Sequence, residues 1–149
     1  MRVSLLICLS LLIGFPGFTQ TAERLDDILA QDELSVRSAA YVAAASGGLI
    51  GDEESPDEAL AALEGAGFRV RAGAPERPVR LDEFSHMLMV AHDGSGGILY
   101  TLFSGPRYAL RELRHERVIR GRGDPNDPVS GTRALRLTER LMTVAETEG

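Results

Sequence analysis

The sequence has no tryptophan, no lysine and one cysteine, and aromatic residues supply only 5% of it. Each shortage excludes something. With so few rings, a core must be built from leucine, alanine, valine and methionine, a palette that favours helix over sheet. The lone Cys8 sits inside an apolar run near the start, where lipid attachment is disfavoured; that modification wants its cysteine at the far end of such a run. If the run is removed, no thiol remains for a disulfide, a metal thiolate or a nucleophile. Lysine's absence makes all sixteen basic residues arginine, against 22 acids, for a formal charge of −6. A general nucleic-acid binder needs clustered cations facing phosphates, and this balance speaks against one.

What is present suffices for one folded domain. Of 149 residues, 44% are hydrophobic and 26% charged, which excludes wholesale disorder. The charge is uneven. From Gln20 to Glu64 there are eleven acids and two arginines; from Gly65 onward there are eleven acids and thirteen arginines. An acidic front and a mildly basic back can attract, within one molecule or between copies.

The N-terminus has the order of a secretory signal. Arg2 supplies the positive end, Leu5 to Ile13 the apolar stretch, and Gly14, Pro16 and Gly17 its stop. Small residues follow at Thr19, Thr21 and Ala22. The stretch is shorter than the roughly 20 apolar residues a spanning helix needs. Residues 1–21 are therefore expected to be a cleaved leader, with no transmembrane segment after its removal. Residues 22–149 are expected to be an exported domain in a periplasm, on a cell surface or secreted.

Sliding the chain by fifty positions reveals self-similarity, which is sought before individual elements. Asp32, Glu33 and Ser35 fall on Asp82, Glu83 and Ser85. Gly47 and Leu49 fall on Gly97 and Leu99. Pro56, Ala59, Leu60 and Leu63 fall on Pro106, Ala109, Leu110 and Leu113. Gly73, Pro75, Pro78 and Val79 fall on Gly123, Pro125, Pro128 and Val129. The expected fold is all-α, five or six helices in repeated helix-loop-helix units at about 31–80 and 81–130, with a terminal helix at 131–145.

Local signals support that division. Ser55-Pro56-Asp57-Glu58 combines an N-cap serine, a first-turn proline and a glutamate three residues after the cap. Ala59, Leu60, Leu63 and Ala66 recur at helical spacing before Gly65 and Gly67. The copy at Gly105-Pro106 carries Ala109, Leu110 and Leu113 inward. Other helices are expected to begin near Asp32, Asp82 and Thr132, with stripes Leu81, Phe84, Met87, Leu88, Ala91 and Ala134, Leu137, Leu141, Ala145. Ser130 is the expected cap of the last. Leu25, Ile28 and Leu29 suggest a short lead-in helix.

These residues resemble S-layer homology (SLH) repeats. Tyr108-Ala109-Leu110 through Leu113, Val118-Ile119-Arg120-Gly121, Asp124 to Pro128 and Val129-Ser130 follow the family's order; Glu58 to Ala91 follows it more loosely. The resemblance spans about Asp32 to Met142. It implies paired helices that anchor a protein non-covalently to anionic cell-wall polysaccharide, gripped by an arginine in an Ile-Thr-Arg-Ala-Glu motif. Here Leu81 holds that arginine's place in Val79-Arg80-Leu81-Asp82-Glu83, and Gly131 holds it in Val129-Ser130-Gly131-Thr132-Arg133. Gln31 holds it in the earliest candidate, Leu29-Ala30-Gln31-Asp32-Glu33. None of these can form the charge-assisted bond of a guanidinium. The fold can carry over without the family's ligand site.

Chemistry-bearing residues are sparse. His86 and His92 are six apart, not the three or four that puts two imidazoles on one helical face, and His115 stands alone, so no metal site is expected. Ser85 and Ser104 lack a Gly-x-Ser-x-Gly elbow; Asp93-Gly94-Ser95-Gly96-Gly97 is one residue short of it and reads as a glycine loop. Asp124-Pro125-Asn126-Asp127-Pro128 has three oxygen-bearing side chains but not the EF-hand spacing, and reads as an Asx turn. Gly123 in Arg122-Gly123-Asp124 belongs to the repeat, not to an adhesion tripeptide. The best candidate surface is the row Arg107, Arg111, Arg114, Arg117, Arg120 and Arg122, with Glu112 and Glu116 able to pair among them.

These observations lead to the expectation of a non-enzymatic envelope module without cofactor, whose partner is a cell-wall polymer, an envelope protein or another copy. A small envelope hydrolase using Ser, His and Asp is the alternative, and a scaffold without ligand a third. If the leader reading is right, protein recovered from the host's envelope will begin at Gln20, Ala22 or Glu23 and contain no titratable thiol; Edman sequencing and a thiol assay check both.

Overall fold

A computed structural model describes residues 16–51, 53–70, 75–92, 104–121 and 123–148. The apolar run with Cys8, the Asp93–Gly97 loop, Leu99, Gly73, Asp52 and Arg122 lie outside the described residues. The described residues form six helices: α1 (Pro16–Leu29), α2 (Val36–Ser46), α3 (Pro56–Gly65), α4 (Leu81–Ala91), α5 (Pro106–His115) and α6 (Gly131–Glu148). Among them there is no strand beyond two isolated bridges, Ser35 to Pro78 and Arg80 to Pro128. The chain is all-α, and none of these helices is long and apolar enough to cross a membrane.

The helix ends follow local chemistry. Ser55 Oγ accepts from the Glu58 amide at 3.3 Å while Glu58 Oε2 accepts from the Ser55 amide at 2.6 Å, closing the capping box. Ser35 caps α2 through the Ser38 amide at 3.1 Å, and Ser130 caps α6 through the Arg133 amide at 3.3 Å. Gly48 and Gly67 end α2 and α3 with φ of 71° and 111°. There Leu49 and Phe68 return hydrogen bonds to Ala44 and Leu63. After α5 the same left-handed task falls to Arg117 (φ 61°), a strained choice for a residue with a Cβ.

Three short extended segments hold the helices together. Leu34 N donates to Val129 O (2.7 Å), Val129 N to Val79 O (3.1 Å) and Val79 N to Leu34 O (2.8 Å), so the bonds close a ring. All three side chains are fully buried. A second set lies beside the first: Val36 N to Arg77 O, Leu81 N to Asp127 O and Gly131 N to Gln31 O, each 2.9 Å. These donors are the first helical amides of α2, α4 and α6, which have no partner within their own helix. Each of these helices therefore starts from the ring with its first amide satisfied by a loop from elsewhere in the chain.

Pairing around the ring is orderly. α2 packs on α3, α4 on α5, and α6 returns to α1. The helix α4 is central, touching α2, α3 and α5, and is buried nearly all round, not along one stripe as its sequence spacing suggested.

Four expectations are corrected. The first inner helix begins at Val36, not near Asp32, because Leu34 and Ser35 are the segment that joins the ring; Asp32 and Glu33 remain exposed in the preceding bend. Leu34 to Val79 is thus 45 positions and Val79 to Val129 is 50, so the fifty-residue register matches α3 to α5 but not α2 to α4. The lead-in helix starts at Pro16, well before Leu25. Ala145 is exposed, because α6 turns Val144, not Ala145, toward the core.

The ring demands close backbone approach at one position. A Cβ on Gly131 would stand 1.7 Å from the Ile28 carbonyl oxygen, whereas one on Gly65 would meet nothing within 4 Å. Gly131→Ala should therefore cost about 2–3 kcal/mol by overpacking against backbone, and Gly65→Ala should stabilise by about 0.5–1 kcal/mol through helix propensity. Urea denaturation of the two variants checks the opposite signs.

Candidate functional site

The arginine row divides into two kinds of residue. Arg107 and Arg111 lie four apart on the outer face of α5, opposite buried Ala109, Leu110 and Leu113; Arg117 and Arg120 continue the row past the helix end, and all four arginines are exposed. None of the four forms an ion pair among the described residues, where every salt bridge belongs to Arg37, Arg77 or Arg80. The expected pairing with Glu112 and Glu116 is thus not made by these four. Arg114 differs. Its guanidinium donates to the Gly123 carbonyl, its Nε is buried without a hydrogen bond among the described residues, and it braces the loop after α5. Arg122 lies outside the described residues.

Two arginines outside the expected row also reach this loop. Arg140 on α6 donates to the Val118 carbonyl at 3.3 Å. The Arg133 guanidinium lies 2.9 Å from where a Gly123 Cβ would be. The only signal for them was their place on α6, whose start follows Ser130.

The loop below has the turn chemistry expected of it. Asp124 Oδ1 accepts from the Asn126 amide at 2.8 Å, and Asp127 Oδ2 from the Asp124 amide at 2.9 Å. Its carboxylates are used to shape the turn. Among the described residues no group of three or more His, Cys, Asp or Glu could hold a metal.

The strongest electrostatics lie at the start of α4. Arg77 grips Glu83 through both oxygens (2.6 and 2.8 Å), and Arg80 grips Asp82 the same way (2.5 and 3.0 Å). Both carboxylates are buried. Arg80 has no acceptor atom and cannot cap α4 with its side chain; only its amide, donating to Glu83 Oε2 at 3.3 Å, completes that end. Burial pushes the Glu83 carboxyl up, but the Arg77 bonds, the Arg80 amide and the two positive charges outweigh it, holding the group below the usual glutamate range. The Glu83 bonds in turn raise Arg77. This cluster is self-neutralised and structural, with no charge left to offer a ligand.

The histidines are dispersed. His115 is exposed. His86 is buried with its ring 5.5 Å from that of Phe68, and burial lowers its pKa. His92, also lowered by burial, has Nε2 3.0 Å from Ser46 Oγ, a contact between positions 46 apart that no motif announced. Ser46 Oγ donates its one proton to the Ala43 carbonyl at 2.8 Å, since that oxygen can only accept. The imidazole must then donate to the serine, so it is not poised as its base. Ser85 is fully buried and donates to the Leu81 carbonyl at 2.7 Å; Ser104 is exposed.

Comparison of the chain with protein-family models, with curated proteins and with solved structures returns no match. The geometry must carry the functional reading.

The pH dependence follows from these groups. Glu83, depressed when folded, contributes stability that is present above the unfolded glutamate pKa and lost as pH falls through its folded value. His86 and His92 are depressed by burial, so below about pH 6.5 the unfolded chain takes up protons first. Both effects lower stability toward acid. Urea midpoints should change little between pH 8 and 7, fall between about pH 7 and 5 with the histidines, and fall again below about pH 4.5 with Glu83; His86→Leu should flatten the first fall and leave the second.

Proposed function

We propose that the protein is an exported, non-enzymatic envelope module of SLH-like architecture that binds an anionic surface polymer through the arginine face of α5 and the loop after it. The observation that carries this reading is the row Arg107, Arg111, Arg117 and Arg120, exposed and without carboxylate partners among the described residues. Guanidinium groups at helical spacing suit a repeating carboxylate or phosphate polymer.

The architecture supports the SLH-like part of the proposal. Three helix pairs start from one hydrogen-bonded ring, and the segments Leu34-Ser35, Val79-Arg80 and Val129-Ser130 hold equivalent places in it. On this reading the first motif is Leu34-Ser35-Val36, five residues beyond the Leu29–Glu33 candidate. The three positions where the resemblance implies a ligand-gripping arginine are then Val36, Leu81 and Gly131. Val36 and Leu81 are buried in the core, and Gly131 faces the Ile28 carbonyl. Binding therefore falls to the outer face.

The leader reading is compatible with this fold. Arg24 donates to the Glu54 carbonyl at 2.9 Å and lies over the Tyr41 ring, and Ile28 is buried; both follow all three candidate cleavage points. Processing would leave the anchoring end of α1 in place.

Sedimentation with purified wall material tests the proposal. Wild type should co-sediment at low salt and be released by about 0.5 M NaCl, where the Debye length is only a few ångströms. The triple change Arg107→Ala, Arg111→Ala, Arg120→Ala should reduce retention at least tenfold with an unchanged urea midpoint. Arg114→Ala should instead lower stability by about 1–2 kcal/mol, because it releases the Gly123 carbonyl. No retention of wild type removes polymer binding.

A further inference from the structure

The front half of the chain contributes a surface as one-sided as the arginine row. On α1, Glu23, Asp26 and Asp27 are exposed, and Asp32 and Glu33 follow in the bend; none forms an ion pair among the described residues. The nearest cation, Arg24, is turned inward to the Glu54 carbonyl and the Tyr41 ring. At 100° per residue, Asp26 lies opposite the buried Ile28 and Arg24 side. Glu23 and Asp27 form one flank. Leu25 and Leu29 form the other, each 43% exposed. This face joins carboxylates to an apolar edge that the molecule's own core does not cover.

Among the described residues the charge asymmetry is not resolved by ion pairs between the two rows. The ion pairs there are Arg37 with Asp57 and Glu76, Arg77 with Glu83, and Arg80 with Asp82 and Glu83. None of these joins α1 to α5, and α1 packs on α6 while α5 packs on α4. The two rows match in pitch: Glu23 to Asp27 and Arg107 to Arg111 are both four-residue steps on a helix, about 6 Å along the axis.

We propose that the acidic face of α1 on one copy docks on the arginine face of α5 on another. The contact is head to tail, since the two patches are different surfaces of the same molecule. Such a heterologous contact forms a ring if its rotation closes and an open chain if it does not. Leu25 and Leu29 give the contact its apolar edge, while the carboxylates and guanidiniums set its register and its salt dependence. The inference shares with the functional reading only the use of α5 as a binding face; a wall polymer and a second copy compete for the same arginines.

Analytical ultracentrifugation of the purified protein tests it. In about 20 mM salt the weight-average mass should climb with protein concentration, and about 0.5 M NaCl should return it to that of a monomer, by screening. Asp26→Arg with Asp27→Arg should abolish association, as should Arg107→Glu with Arg111→Glu. An equimolar mixture of these two variants should associate again, because each supplies a face that complements the other's. A monomer at every salt and concentration overturns the proposal, as does association that neither charge reversal weakens. Wall retention by a strictly monomeric protein would keep the polymer reading and end this one; self-association without wall retention would do the reverse.

Discussion

The fold depends on one constraint: helices that start together must find partners for their first amides. An α-helix cannot satisfy its own leading N–H groups, and burying them unpaired is costly. Here α2, α4 and α6 begin beside one another, and the chain meets the difficulty by passing each start through an extended residue that bonds to the next. Leu34, Val79 and Val129 each donate to one neighbour and accept from the other, so no edge is left unpaired. The apolar side chains at these positions then bury themselves fully, which lets a core with few aromatic rings close around its own backbone. The last segment bonds to the first, and α6 lies against α1, so the first and last described helices belong to one packing unit.

That constraint also explains where the charges went. The amides at the start of α4 are buried, and so are the acids beside them; Asp82 and Glu83 can be ionised there only because Arg80 and Arg77 hold them in two-pronged bonds. Breaking either pair would leave a buried charge uncompensated, a far larger loss than that of a surface ion pair. Arg77 and Arg80 are thus spent on structure, as are Arg24, Arg114 and Arg140 on backbone carbonyls. Arg107, Arg111, Arg117 and Arg120 are left exposed, while Glu23, Asp26 and Asp27 of α1 face outward without an ion pair among the described residues. Segregation of charge is what remains after the interior has been neutralised locally.

Much of this was legible in the residues, and the failures are instructive. Ser55-Pro56-Asp57-Glu58 specified its helix start in full, because a capping box is a local device. The apolar spacing gave the buried positions of α5, and of α4 only the apolar part of a helix buried nearly all round. The first helix start was misplaced because the fifty-residue register was carried across a join where the spacing is 45, and Asp32-Glu33 imitates Asp82-Glu83 without sharing its place. The role of Leu34, Val79 and Val129 was invisible for a different reason: a ring of backbone bonds leaves no mark on side-chain pattern beyond three apolar residues. The bond from Ser46 to His92 spans two helices, and such contacts have no sequence period at all.

The same ring bears on what the proposed architecture can bind. A position two residues past the ring is buried by the loop that bonds to it, as Val36 and Leu81 are, or pressed against backbone, as Gly131 is. A guanidinium there would have to leave water for a site already filled, at a cost that pairing alone rarely offsets. Had the loops stood further out, those positions would line a groove. In this chain they stand close, so under the proposed function the packing gained at the centre leaves recognition to the outer helices. An architecture of this kind can therefore keep its frame while its binding chemistry moves outward. The exposed arginines of α5 are where such a shift would leave it.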